Sequence, residues 1–493
     1  MAGMSGLRKT LKGTTELSMG EVVGVGANFV RYLILARLLG SANFGIAATF
    51  ALTIQILQTM SNMALNMLIV QSKHGDDRAL QATAHALQVC RGLINAALIL
   101  GLAGPISALF GIPEARWAFQ WLALVPLLEG FIHFDANRME REMRFRPGIA
   151  VAVIPKVLTA LAAWPMVAWR GDYSAMLWLL VLQGATTVLL SHILATRRYS
   201  LAWDKTYLTE ILGFGWPLLL NGMLVFGVFQ GDRLIVGTLY TMGDLGVYSV
   251  SAGLVMTLSG ALFKVIHTVM LPSLSRAQEN AEEFARRYRV CALMFSFIAA
   301  LYGPVLIVAG QPIIVLAYGE QYRAAGLLVG WLAAAQAIRV LRLGPSLAAM
   351  AKGDTRCLMY ANICRMSGVA AALLAGFVRA DLSWIAAAAV IGEVVAFPVP
   401  IVRLSRRHNL RIGICLRPGL AAMATMVLSG LLVAVGAREV TIAFALLLLL
   451  AGALCVAFWA VFAFSSFRRT LRRARALLRP EMDDGTGENA DGI

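Results

Sequence analysis

Apolar residues run along the chain in blocks of about 20, separated by short polar stretches carrying Gly, Pro, Lys and Arg. A block of that length crosses the hydrocarbon core of a bilayer as an α-helix. The pattern predicts fourteen spans, at 18–38, 44–70, 81–104, 116–136, 149–169, 174–195, 210–235, 244–271, 290–316, 326–350, 358–378, 382–402, 418–436 and 440–466. This is the pattern of an all-α multi-pass membrane protein.

The pattern also repeats. The stretch from Asn28 to Lys73 returns, diverged, from Phe229 to Leu274. Sliding one onto the other by 201 positions needs no gap. Leu33 then meets Leu234, Ile34 meets Ile235, Leu38 meets Leu239, Gly45 meets Gly246, Leu57 meets Leu258 and Ser72 meets Ser273. A unit written twice, half a chain apart, predicts two similar lobes around a central cavity. The N-lobe is residues 1–205 (spans 1–6) and the C-lobe residues 206–410 (spans 7–12). Spans 13 and 14, within 411–467, have no partner in the repeat. The tail at 468–493 is first basic, then acidic and Gly-rich. Its basic part is expected on anionic lipid and the rest disordered.

Composition narrows the class. Hydrophobic residues make up 59% and charged residues 14%, against about 25% charged in soluble domains. The net charge of +16 would point to nucleic acid in a soluble protein. Here it fits basic loops beside anionic lipid, so no nucleic-acid partner is expected. Of the 43 Lys and Arg, 29 fall in alternate loops and the tails, and 6 in the opposite loops. That bias predicts an even number of spans with both termini in the cytoplasm. Both repeats then start from the same side, as parallel repeats about an axis along the membrane normal. Arg8, Lys9 and Lys12 precede a first span without an A-x-A site, which reads as a retained helix. The six cysteines show no metal-ligand spacing, and neither a metal nor a cofactor is expected.

The segments A-R-L-L-G-S-A-N-F-G at 36–45 and G-D-R-L-I-V-G-T-L-Y-T-M-G-D-L-G-V-Y-S at 231–249 carry a family likeness. The chain resembles the polysaccharide flippases, O-antigen or Wzx-like translocases, of the multidrug/oligosaccharidyl-lipid/polysaccharide exporter superfamily. The resemblance implies a V-shaped pair of six-helix bundles. It also implies an undecaprenyl-pyrophosphate-linked oligosaccharide as substrate, moved from the cytoplasmic to the outer leaflet of a bacterial inner membrane. The implied partners are that substrate, membrane lipids and other polysaccharide assembly proteins.

Charges embedded in the spans are the candidate chemistry, because charge is costly in hydrocarbon and tends to face a wet interior. The basic ones are Arg31, Arg91, Lys156, Arg233, Lys264, Arg339, Arg342 and Arg365; the acidic ones are Glu21, Glu129, Asp232 and Glu393, with Asp135 near a span end. A net positive interior suits a diphosphate. The candidate substrate contacts are Arg31 with Asn28 on one face, Arg91, Lys264 with His267, and Arg339 with Arg342. The alternative for each is a structural ion pair, for Arg339 and Arg342 within the lobe with Glu393. Lys156, Arg233 and Arg365 are expected to snorkel. Gln58 and Asn62 belong to an amide face with Gln55 and Asn66, which suits sugar hydroxyls or helix–helix bonds equally. Asp232 falls opposite Arg31 in the repeat; it and Glu393 are candidates for ion pairing or proton coupling. The segment from Arg138 to Arg146 reads as solvated surface.

Three functions compete. A flippase accounts for the excess of embedded cations. A drug or cation antiporter on the same fold calls for embedded acids instead, and a lipid II flippase is a further alternative. A polymerase or ligase calls for a sizeable outer loop, and the outer loops here are short. An ATP-driven pump calls for G-x-x-x-x-G-K-[ST], which does not occur. The chain reads as a transporter, not an enzyme.

Overall fold

A computed structural model describes the backbone of residues 2–354 and 356–435. It also describes their side chains, except those of 2–15, 217, 221, 261–269, 432 and 435. Span 14 and the tail lie outside the described residues.

The described residues form helices α1 (Ala2–Ser61), α2 (Leu65–Gln71), α3 (Arg78–Leu109), α4 (Arg116–Leu122), α5 (Leu124–Glu129), α6 (Asp135–Arg141), α7 (Arg146–Arg170) and α8 (Ser174–Ile193). They continue with α9 (Lys205–Leu239), α10 (Met242–Ser275), α11 (Ala281–Tyr318), α12 (Ala325–Ala351), α13 (Arg356–Phe377), α14 (Leu382–Ala396), α15 (Pro398–His408) and α16 (Gly413–Val435). Among them, ten stretches are long and apolar enough to cross a bilayer, the first, Glu16–Ser61, holding spans 1 and 2. Large apolar side chains such as Trp164, Trp169, Leu316 and Phe377 lie exposed, as a lipid-facing surface requires.

Several boundaries differ from the apolar pattern, each for a local reason. Spans 1 and 2 merge into α1, turned at Gly40 with φ 78° and ψ 165°, a conformation open to glycine. Span 2 does not continue to residue 70. It breaks at 62–64, where Ala64 adopts φ 50° and the Asn62 Oδ1 accepts its N–H at 2.8 Å. Span 4 is split into α4 and α5 and stops at Glu129, because Pro126 has no N–H to continue the ladder. Pro398 likewise divides span 12 into α14 and α15. In the other direction, α9 and α11 outrun their apolar cores. Asp204 caps α9 by accepting from Thr206 N at 2.8 Å, and Asn280 caps α11 by accepting from Glu283 N at 3.0 Å. Helix propensity and caps carry these turns where hydropathy has ended.

The two lobes meet along a seam built from α1 on one side and α9–α11 on the other. Its tightest point is the crossing of α1 with α10. A Cβ on Gly45 would lie 1.7 Å from the Met242 carbonyl oxygen, and one on Gly246 2.0 Å from that of Ser41. Each would also stand 3.2 Å from the other glycine's nitrogen. The repeat pairs these same two positions. Equivalent points that touch lie on the axis relating the halves, so Gly45 and Gly246 mark that axis. The small side allows the backbones to close. Nearby, Tyr322 donates to Ala36 O at 3.0 Å, and Arg37 donates to Leu316 O and Ala317 O at 3.2 Å each. At the middle of the seam Gln230 donates to Gln55 at 3.0 Å. At the far end Ser72 donates to Glu210 at 2.6 Å and Tyr207 to Asp77 at 2.7 Å.

Each lobe also carries a buried acid in the segment following its fourth span. Asp135 accepts from Arg138 Nε at 2.6 Å and from Thr196 N and Oγ1 at 2.7 and 2.8 Å. Asp354 accepts from Arg403 Nε and a terminal guanidinium nitrogen at 2.5 and 2.9 Å. Both acids tie that segment to the end of the lobe's sixth span. Arg138 is therefore buried and paired, which corrects the reading of its segment as solvated surface. Burial opposes ionisation of Asp135, yet the Arg138 and Thr196 bonds hold its carboxyl well below the usual range. The Arg403 hydrogen bond does the same for Asp354.

Candidate functional site: three cation clusters inside the lobes

The sequence expects the embedded cations to share one gap between lobes. The structure sorts them into three clusters inside the lobes, because α1, α7, α12 and α13 each turn their charged stripe onto a neighbouring helix.

The first cluster joins α1, α7 and α8. Arg31 is 4% exposed. Its guanidinium donates to Gln183 Oε1 and, at 3.4 Å, to Thr159 Oγ1. Its Nε has no partner, nor does Asn28 Oδ1 one turn away. No carboxylate stands within ion-pair distance of Arg31 among the described residues. Gly24 leaves room for Lys156, whose Cδ would be 3.5 Å from a Cβ there. Lys156 thus lies along α1 beside Arg31 rather than snorkelling away. A cation held by neutral partners, as Arg31 is, is costly in a membrane, about 3 kcal/mol on insertion scales. The same α1 stretch borders the C-lobe, with the Phe29 and Tyr318 rings 6.5 Å apart.

The second cluster lies among α1, α3 and α5. Gln58 donates to both oxygens of Glu129, at 2.9 and 2.8 Å. Arg91 is near enough to Glu129 to interact with its charge and reaches Ser61 O at 3.5 Å, at the break in span 2. Asn62 is taken up by its own turn. These side chains hold helices together, so the amide face resolves, at Gln55, Gln58 and Asn62, into internal bonds.

The third cluster fills the C-lobe. Glu393 of α14 accepts from Arg365 Nε at 2.7 Å and Arg342 Nε at 3.2 Å. Arg342 is 3% exposed and Arg365 8%. Arg365 does not snorkel: it sits mid-helix on α13, facing α14 across the close contact of Gly368 with Gly392. Arg339 stacks on the Phe229 ring at 3.9 Å to its centroid, with Arg365 4.6 Å from the same centroid. Among the described residues Arg339 donates only to Gln336, at 3.3 Å. Asp232 accepts from Tyr248 OH at 2.7 Å. Asp232, Arg339, Arg365 and Glu393 border a cavity of about 60 Å³. Arg233 turns back to Gln230 at 3.1 Å. The side chains of Lys264 and His267 lie outside the described residues.

Arg365, Lys156 and Gln183 are the contributors sequence reading missed. Arg365 and Glu393 lie far apart along the chain, and only the pairing of α13 with α14 brings them together.

With this geometry in hand, relatives can be compared. Residues 34–326, more than half of the chain, match the family described as "Polysaccharide biosynthesis protein". The succinoglycan biosynthesis transport protein ExoT of Rhizobium meliloti (strain 1021) is 24% identical over 64% of this chain and 63% of its own. The lipopolysaccharide biosynthesis protein WzxC of Escherichia coli (strain K12) is 21% identical over 65% of each. The chain thus spans just under two thirds of the length of these relatives. Among solved structures, the lipid II flippase MurJ in an inward closed conformation has a TM-score of 0.70 at 13% identity, covering 92% of this chain and 99% of its own. An inward-facing multidrug resistance MATE family transporter of the MOP superfamily has a TM-score of 0.60 at 14% identity, covering 84% and 98%. At such identity these two establish the fold alone, two lobes of membrane helices. The chain belongs to the polysaccharide biosynthesis protein family.

Proposed function

We propose that this protein flips an undecaprenyl-pyrophosphate-linked oligosaccharide from the cytoplasmic to the outer leaflet of a bacterial inner membrane, for surface polysaccharide assembly. It does so by alternating access of two lobes, residues 1–205 and 206–410, without covalent chemistry. Both termini face the cytoplasm, which puts the Gly45–Gly246 crossing at the outer end of the seam and the Ser72–Glu210 contact at the inner end.

The observation that carries the reading is Arg31. It is a buried cation on a seam helix, held by neutral oxygens and, among the described residues, by no carboxylate. A diphosphate can displace Gln183 and Thr159 and add charge to what are now neutral bonds. Asn28, with a free oxygen, is placed to accept from a sugar hydroxyl or from Lys156. Arg342 is already neutralised by Glu393, and Arg91 interacts with Glu129. We give these two a positioning role and leave the head group to Arg31, with Lys264 and His267 on the facing α10. The names of the two polysaccharide relatives and the flippase fold support the same reading.

Deleting the protein, in cells without a redundant flippase, leaves lipid-linked repeat units on the cytoplasmic face. Full export of that intermediate in the deletion strain contradicts the proposal. So does a deletion that changes drug sensitivity and leaves surface polysaccharide intact.

A further inference from the structure

The C-lobe cluster contains more positive charge than its acids neutralise. Three guanidinium groups, Arg339, Arg342 and Arg365, share the space with Glu393 and Asp232. Both oxygens of Glu393 are committed, one to Arg342 and one to Arg365. Asp232 is committed to Tyr248. Arg339 is left with a neutral amide and a ring face, and no carboxylate stands within ion-pair distance among the described residues. An arginine does not release its proton in a protein. Inside a membrane, neutrality at this point therefore calls for an anion supplied from outside the chain.

We infer that the C-lobe cavity binds a small monovalent inorganic anion, of halide size, on the Arg339 guanidinium. Three observations fix the class. The cavity holds about 60 Å³. A water needs about 10–15 Å³ by that kind of measure, so the space takes a few waters or one hydrated halide and excludes a sugar diphosphate. Besides Arg339, its polar lining is Arg365, Gln336 and the carboxylates Asp232 and Glu393, and the rest is apolar, with Phe229, Leu332 and Ile385 among it, which favours a weakly hydrated anion over a strongly hydrated one. Of the three arginines, Arg339 alone keeps appreciable exposed surface, while Arg342 and Arg365 are buried. The anion would hold α12 against α9 and α13 by neutralising the repulsion between Arg339 and Arg365. This site is separate from the Arg31 contact, so either assignment can fail without the other.

The test is thermal unfolding of the purified full chain in detergent, titrated with sodium bromide against sodium gluconate at constant ionic strength. The native protein is expected to show a saturable, bromide-specific rise in Tm. Arg339→Gln is expected to lose that rise, and Arg31→Gln to keep it. A Tm that follows ionic strength alone, or an Arg339→Gln protein that keeps the full bromide response, overturns the site. Crystals of the native protein grown in bromide give a check that needs no variant. Anomalous density in the cavity beside Arg339 supports the site, and a cavity without it contradicts the inference.

Discussion

The two lobes are built on one frame and hold their charges in opposite ways. Position 31 in the N-lobe is an arginine, and its repeat partner in the C-lobe is Asp232. Arg31 rests on neutral oxygens from α7 and α8. The C-lobe arginines are gathered around Glu393. The α1–α10 crossing, in contrast, keeps glycine in both copies, because Gly45 and Gly246 touch. Contacts on the axis constrain both halves together, while positions off the axis are free to diverge. The N-lobe thereby holds a buried cation that no carboxylate among the described residues pairs with, and the C-lobe locks most of its cations into structure.

The largest expected effect separates the lobes by function. Arg31→Glu should abolish polysaccharide export while the protein still inserts, as read from surface glycan and membrane fractionation. Normal export in that variant would remove Arg31 from the site. Next comes a difference in stability. Glu393→Gln leaves Arg342 and Arg365 without their counter-charge and should cost about 3–5 kcal/mol in unfolding measurements. Thr159→Ala removes only one long, neutral bond to Arg31 and should cost about 1 kcal/mol. Equal losses would erase the distinction drawn here. Smaller again, Gly45→Ala and Gly246→Ala should each destabilise the protein by about 1–3 kcal/mol, and by similar amounts, since each Cβ meets backbone. A loss in one variant only would place the axis elsewhere.

The smallest effect is common to both lobes. Asp135 and Asp354 have carboxyls held below their ordinary range. Their contribution is fully present above the unfolded carboxylate pKa, about 3.9, and is lost as pH falls through the lower folded values. Unfolding followed between about pH 6 and pH 3 should show a decline that is shallower in Asp135→Asn and Asp354→Asn. An unchanged slope in both would mean that these ties carry no linked stability.

Most of the frame was legible in the chain. Hydrocarbon leaves no water for backbone groups, so spans must be long, apolar and helical, and the all-α, two-lobe frame could be read directly. The interruptions at Asn62–Ala64, Pro126 and Pro398 were not, because hydropathy averages over side chains and these breaks follow from single backbone groups. The charges themselves were visible, and their distribution was not. Arg365 was expected to reach a membrane surface, yet it meets Glu393, because the Gly368–Gly392 contact draws α13 onto α14. Which way a charged stripe turns is decided by helix packing, and packing depends on pairs of residues far apart in the chain.

Arg31, paired with no carboxylate among the described residues, is proposed to receive the phosphorylated end of a lipid carrier. Binding of undecaprenyl pyrophosphate and of uncharged undecaprenol to the purified protein and to Arg31→Gln tests it most directly. The account predicts that the native protein prefers the pyrophosphate and that Arg31→Gln loses this preference. An equal preference in both proteins would contradict it.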